Sequence, residues 1–264
     1  MTVDVRNAME RAARQALLPR FRRLTQHEIK EKSAGEVVTI ADRECEAMLT
    51  DALARLLPEA SIVGEEAVDL DPSHLDRLGD QLCWIIDPLD GTAYFAAGEQ
   101  PFGVMVALAS GGVTIGGWIL DPVSGRFCWC AKGEGSWIDD RRIVVEDSDA
   151  RPVLGLSPLL KRKPQRFEAV VQSSRGHFEL SDIPRCAAAH YPAMLLGTPG
   201  LTLYERTLSW DHAAGALLIE EAGGRVARLD GSPYRVDDDR TGLLAAVSAD
   251  LWDQGASLLQ GLPE

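Results

Sequence analysis

The stretch "WIIDPLDGTAYF" (84–95) runs an apolar segment into two carboxylates three residues apart, followed by Gly and Thr. Asp-Pro and Asp-Gly are ordinary turn dipeptides, but the arrangement also suits a divalent cation. Trp84, Ile85 and Ile86 read as a strand end, so Asp87 stands where burial is expected to stop. Pro88 fixes φ and turns the chain, which lets Asp90 fold back beside Asp87. Two carboxylates with the Leu89 carbonyl between them make a set of hard oxygen donors. Gly91 allows close backbone approach, and Gly91 with Thr92 would open a helix whose free amides attract a phosphate oxygen.

Three further acidic positions belong with this stretch. Gly64-Glu65-Glu66 ends a short apolar run, a rigid way to place a Glu at a sheet edge, though it reads equally as a solvated pair in a loop. Trp210-Asp211 opens a strongly apolar segment, where an Asp also serves as a helix cap. Asp42, after Thr39, either joins the site or simply favours the start of a helix with its charge.

The elements that must position these groups follow from apolar spacing. Residues 3–26 carry a helical pattern that Pro19 is expected to kink. "KSAGEVVTIAD" (32–42) reads as a loop or short extended piece, and a second helix follows until Pro58. "ASIVGEEA" is a short strand stopped at Gly64. From 81 to 146 five apolar runs, the last being "GSWIDDRRIVV", read as an antiparallel meander. "DSDARP" (147–152) separates an N-terminal half, 1–150, from a C-terminal half, 151–264, that supplies Asp211. In the second half "FEAVVQSS" reads as a strand, "IPRCAAAHYPAMLLG" as a helix interrupted by Pro192, and "LTLYE" as a strand. "WDHAAGALLIEEAGG" is a helix ended by Gly223-Gly224. "RVARLDG" and "TGLLAAVS" are strands, and a last helix spans 249–259. Helices before and after large sheets predict a layered, mixed α/β sandwich.

Composition narrows the partners. The 264 residues are 45% hydrophobic, enough for a sizeable core, and carry a net charge of −13. Such a balance argues against nucleic acid or an acidic membrane as direct partner, while divalent cations need carboxylates. Five scattered cysteines without C-x-x-C spacing read as buried thiols in a reducing compartment. No apolar leader or membrane-length run is present, so a cytoplasmic protein is expected.

Together "GEE", "WIIDPLDGTAYF" and "WDHAAGALLIEEAGG", in this order and spacing, resemble the inositol monophosphatase family of metal-dependent, lithium-sensitive phosphatases. "KSAGEVVTIAD" is similar to its fourth element, a Lys-Ser loop leading to an Asp before a helix, and the resemblance covers nearly the whole chain. It implies a five-layer αβαβα sandwich, two or three Mg²⁺ ions and a homodimer. Glu65, Asp87, Asp90 and Asp211 match metal-binding carboxylates, with the Leu89 carbonyl as a further ligand. Thr92 and Asp42 match a pair that positions the attacking water, which Glu65 helps activate. Gly91 and Thr92 match the amides that hold the phosphate, beside Asp90 and Asp211, and Glu66 sits next to the ligand set. The implied reaction is Mg²⁺-dependent hydrolysis of a small polyol or sugar phosphate, such as inositol monophosphate, by direct attack of water.

Substrate-contacting positions depart from the family pattern. "CAAAHY" (186–191) replaces a Gly-Ser/Thr-Ala-Ala run and puts Ala188 at a substrate-contacting position. Glu205 matches an acid that accepts hydrogen bonds from substrate hydroxyls, but the interval to Asp211 is one residue short. His190 is either a buried structural group or a substrate contact. "SSRGHFE" (173–179), with Arg175 and His177, resembles a stretch of bisphosphate nucleotidases; the basic run "KRKPQR" (161–166) either faces a polyanion or forms a solvated loop. A 3′(2′),5′-bisphosphate nucleotidase, a histidinol-phosphate phosphatase and a regulatory binding protein on the same fold remain alternatives.

Overall fold

The computed structural model describes residues 1–33, 36–145, 151–197 and 200–262. Helix α1 (Thr2–Ala12) continues into one wide π-type turn, Ala13–Leu17, and ends there. The predicted helix to residue 26 is therefore too long: Pro19 stops it instead of kinking it, because proline has no N–H to continue the ladder. Strands β1 (Ile29–Ser33) and β2 (Glu36–Thr39) pair antiparallel over the stretch read as a loop or extended piece. Helix α2 (Ile40–Leu56) then buries Ala41, Cys45, Leu49 and Leu53 at i, i+4 spacing.

Next come β3 (Ser61–Gly64), α3 (Glu65–Leu70), β4 (Cys83–Asp90), α4 (Thr92–Ala96), β5 (Gly103–Ser110), β6 (Val113–Leu120), β7 (Phe127–Ala131), β8 (Gly135–Ile138) and β9 (Arg141–Ile143). The strands form one seven-stranded sheet in chain order, with β3 parallel to β4 and every other pair antiparallel. "GSWIDDRRIVV" is thus a hairpin, not one strand. Asp139 and Asp140 both take positive φ, 47° and 64°, as a tight two-residue hairpin turn requires.

The second half holds β10 (Val153–Leu156), α5 (Pro164–Ser174), β11 (Glu179–Asp182), α6 (Ala187–Leu195), β12 (Leu201–Tyr204), α7 (Ser209–Glu221), β13 (Arg225–Ala227), β14 (Leu243–Ala246) and α8 (Ala249–Leu259). "FEAVVQSS" is helical, against expectation. Pro164 occupies the first turn, and Arg166, Val170 and Ser174 are buried at a four-residue interval that only a helix gives. The five strands order as β11-β10-β12-β14-β13, the first three mutually parallel.

Five layers result. Helices α1 and α2 cover one face of the large sheet with Trp84, Ile86 and Val106. The other face, with Ile85, Met105 and Ile119, packs on α6 and α7, which also meet Leu243 and Ala245 of the second sheet. Helices α5 and α8 close the far side over Leu154, Leu203 and Leu244. Sandwiched between two sheets, α7 is buried on nearly every side, as its continuous apolar sequence foretells. The proposed boundary at 147–152 falls mostly outside the described residues, and the α6–α7 layer joins both halves in one core. All five cysteines are buried and unpaired, as expected. No helix among the described residues is long and apolar enough to cross a membrane.

Candidate active site

Strand β4 delivers the central pair. It lies between β3 and β5, and its register against β5 slips by one residue between Asp87, opposite Met105, and Asp90, opposite Gly103. That bulge is where Pro88 can sit inside a sheet, since a bulged residue has no ladder bond to lose. Burial does not stop at Asp87 as predicted: Asp87 is 1% exposed and Leu89 fully buried, because the strand continues to Asp90. The Leu89 N–H donates to Asp87 Oδ1 at 3.0 Å, and the Ala188 N–H at the start of α6 donates to Asp90 Oδ2 at 2.6 Å. Gly91 follows at φ +84°, a left-handed conformation, and a Cβ there would lie 2.7 Å from the Pro101 carbonyl. The chain then enters α4 with Thr92, whose Oγ1 donates to the Leu89 carbonyl at 2.8 Å or Asp42 Oδ1 at 3.2 Å.

Asp42 sits behind Thr92. It forms a capping box with Thr39, whose N–H and hydroxyl donate to Asp42 Oδ2 at 2.8 and 2.6 Å. Burial pushes its carboxyl up to about 6, against the pull of the Thr39 bonds.

The strand β3 ends at Gly64 as its sequence predicts, and Glu65 is the first residue of α3. The helix start is held by a residue that sequence reasoning missed: Glu46 of α2 accepts from the N–H groups of Glu66 and Ala67 at 2.8 and 2.9 Å. A Cβ on Gly64 would fall 2.4 Å from that carboxyl, which would have to move to admit it. A signal was available, because a Glu one turn after Asp42 on a helix flanked by a buried stripe needs partners for its charge. Lys32, which its sequence places in a loop or short extended piece, belongs to β1. Its Nζ lies 3.4 Å from Glu65, 2.7 Å from Glu66 and 4.0 Å from Asp69. Burial alone would pull its ammonium down, but these carboxylates together hold it above its ordinary value.

Asp211 stands in the first turn of α7. Glu65, Asp87, Leu89, Asp90, Gly91, Thr92 and Asp211 all line one cavity of about 370 Å³, where α3, β4, the start of α4 and the start of α7 meet. The acids feel each other. Glu65 is pushed up to about 8, first by burial and then by Asp211, Glu66 and Asp42, with Lys32 opposing. Asp87 is driven well above the usual carboxylate range by burial and by Glu65, Asp90 and Asp211.

Such crowding of buried anions is what divalent cations relieve. Every donor is a carboxylate or carbonyl oxygen, which suits Mg²⁺ over softer metals. Among the described residues no three acidic, His or Cys side chains close on one ion-sized point. Mg²⁺ accommodates that, since it is commonly held by one or two carboxylates and keeps several waters. The residues fit the ion.

Other expected contacts are not brought to the cavity. Glu205 is 6% exposed and stands off the lining; its Oε1 is 2.7 Å from Arg166 Nε and its Oε2 3.1 Å from Lys163 Nζ. Two cations of the basic run are thus spent inside the protein, and Lys161 pairs with Asp182 at 2.6 Å. Ala188 is 6% exposed behind the wall, touching the site only through its bond to Asp90. Arg175 and His177 are exposed and away from the cavity, removing the features that favoured a nucleotidase. His190 is buried at 2% exposure, lines the cavity and shares a 2.9 Å hydrogen bond with Thr202 Oγ1. Two further residues lining the cavity, Arg185 and Arg206, carried no sequence signal.

A family model described as the inositol monophosphatase family matches residues 2–260. A protein of Aquifex aeolicus named fructose-1,6-bisphosphatase/inositol-1-monophosphatase is 28% identical over 232 residues, covering 86% of this chain and 85% of its own. The Nus factor SuhB of Pseudomonas aeruginosa is 32% identical over 244 residues, 86% of each chain. Among solved structures, the extragenic suppressor protein suhB of Bartonella henselae superposes with a TM-score of 0.79 over 99% of this chain and 97% of that one, at 22% identity.

Proposed function

Since the chain belongs to the inositol monophosphatase family and is a phosphatase of that type, we propose that it is a Mg²⁺-dependent phosphomonoesterase acting on a small polyol or sugar phosphate by direct attack of water. The supporting observation is the shared cavity of Glu65, Asp87, Asp90 and Asp211, in which burial and neighbouring carboxylates raise the proton affinity of Glu65 and Asp87. These four and the Leu89 carbonyl would hold two or three ions. When bound, the ions supply positive charge to the phosphate dianion and the leaving alkoxide and lower the pKa of bound water.

The chain's own groups do the positioning. Thr92, its proton engaged by the Leu89 carbonyl or Asp42, offers an oxygen lone pair to a water proton. Glu65 accepts the proton lost as water attacks. The Gly91 and Thr92 amides are assigned to the phosphate. Attack by a protein nucleophile is disfavoured: Cys186, the thiol of the cavity wall, is pushed well above its ordinary value by burial and the Asp90 charge. A homodimer, lithium sensitivity and a cytoplasmic location complete the reading. A purely regulatory role is disfavoured, because a binder would gain nothing from a retained set of repelling acids.

The test is phosphate release from a panel of phosphomonoesters, including inositol 1-phosphate and histidinol phosphate, with and without Mg²⁺. Turnover that requires Mg²⁺ supports the reading. Failure of every ester, with Mg²⁺ shown to bind, refutes it.

A further inference from the structure

Resting on the phosphatase reading, we propose that the alcohol part of the substrate carries a second anionic group, a phosphate or a carboxylate, bound by Arg185 and Arg206. The cavity is divided by charge. Its acids come from α3, β4 and α7. The other wall is built where the parallel strands β10, β11 and β12 end, from Ser157–Leu159, 183–187 and the loop with Arg206 and Leu208. Among the described residues of that wall no acidic residue lines the cavity, and two arginines do.

A neutral polyol held there would lack a strong acceptor for its hydroxyl protons. Glu205, the acid nearest in sequence, is sequestered by Arg166 and Lys163. A planar guanidinium instead matches the paired oxygens of phosphate or carboxylate. Both arginines are engaged within the protein, and five N–H donors leave capacity for a ligand as well.

The two loops are also fixed relative to the acids. His212, next to Asp211, donates from Nε2 to the Arg206 carbonyl at 2.9 Å and accepts the Tyr191 hydroxyl at Nδ1 at 2.8 Å. Arg185 precedes Cys186, whose Sγ lies 3.7 Å from the Asp90 carbonyl, and the Ala188 N–H binds Asp90 itself. Each arginine is therefore tied by a short path to a carboxylate of the metal side, setting the span between the two anionic ends of the substrate.

The experiment compares kcat/KM, in Mg²⁺, for three groups of esters. Inositol 1-phosphate and glycerol 2-phosphate leave neutral alcohols. Fructose 1,6-bisphosphate and 3′-phosphoadenosine 5′-phosphate carry a second phosphate, and 3-phosphoglycerate carries a carboxylate. We expect one of the anionic groups to be preferred by about tenfold or more, which identifies the anion. Arg185→Gln and Arg206→Gln should each lower that preference about 10- to 100-fold, mainly through KM, with the Lys variants in between. Should a variant fail to fold, the wild-type preference must still shrink as ionic strength rises. Preference for the neutral-alcohol esters, or an unchanged preference in both folded Gln variants, overturns the proposal and leaves the phosphatase reading standing. Absence of any hydrolysis with Mg²⁺ bound removes both.

Discussion

Thr92 Oγ1 lies 3.2 Å from Asp42 Oδ1, a contact made across 50 residues of sequence between the first turns of α2 and α4. Asp42 is locked by Thr39, so its position is set by the capping box of α2. In Asp42→Asn the amide nitrogen would donate to Thr92 and occupy the lone pair meant for water. We expect Asp42→Asn and Thr92→Ala each to lower kcat by about 10²- to 10⁴-fold. The double variant should be little worse than either single one, because the pair acts as a unit. Thr92→Ser should keep most of the activity. Steady-state kinetics of the four proteins, each checked by thermal melting, decide this.

The crowded acids make a prediction about the metal-free protein. Asp87 has a folded-state proton affinity well above its unfolded one, so between those values the folded chain binds more protons. Stability without metal must then fall as pH rises through that window, with Glu65, at about 8, adding to the trend. Asp87→Asn removes one buried charge. In EDTA it should melt higher than wild type at pH 8, with the gap closing at acid pH, while its activity is lost. Added Mg²⁺ should raise the Tm of wild type more than that of the variant.

Gly64 tests how the α3 start is held. Gly64→Ala drives a methyl into the Glu46 carboxyl, which then cannot keep both amide bonds. We expect about 1–3 kcal/mol of destabilisation in urea melts. The Mg²⁺ concentration for half-maximal activity should rise, since Glu65 is displaced.

His190 gives a pH signature of opposite sign. Burial lowers its imidazole to about 4, so between that value and the model-peptide 6.5 the unfolded chain binds the extra proton. Its contribution is complete above about pH 6.5 and is lost as pH falls towards 4. His190→Gln retains a partner for Thr202 and does not titrate. Relative to this variant, wild type should lose on the order of 3 kcal/mol across that window. His212, lowered similarly by burial, is common to both proteins and cancels.

Much of the site was legible because its groups sit on short, stereotyped junctions. A β-bulge admits Pro88, a left-handed Gly91 starts α4, and Asp211 lies in the opening turn of an apolar helix. What escaped depends on contacts distant in sequence. Nothing local tells that Lys163 and Arg166 neutralise Glu205 about 40 residues on, or that Glu46 caps a helix 20 residues away. The misread α5 shows a conflict of scales. Its Val170-Val171 pair suggests a strand, while burial at Arg166, Val170 and Ser174 follows the helical period set after Pro164. Likewise Asp139-Asp140 divides one apolar run into two strands through backbone conformation, which hydrophobic pattern does not record.

The most direct measurement is phosphate release from inositol 1-phosphate and fructose 1,6-bisphosphate over a Mg²⁺ titration, with wild type and Asp90→Asn side by side. We expect saturable Mg²⁺-dependent turnover of at least one ester by wild type, and a loss of about 10³-fold or more in a folded Asp90→Asn protein. Turnover by wild type that ignores Mg²⁺ and EDTA, or an Asp90→Asn protein as active as wild type, would contradict a metal-centred site on these carboxylates.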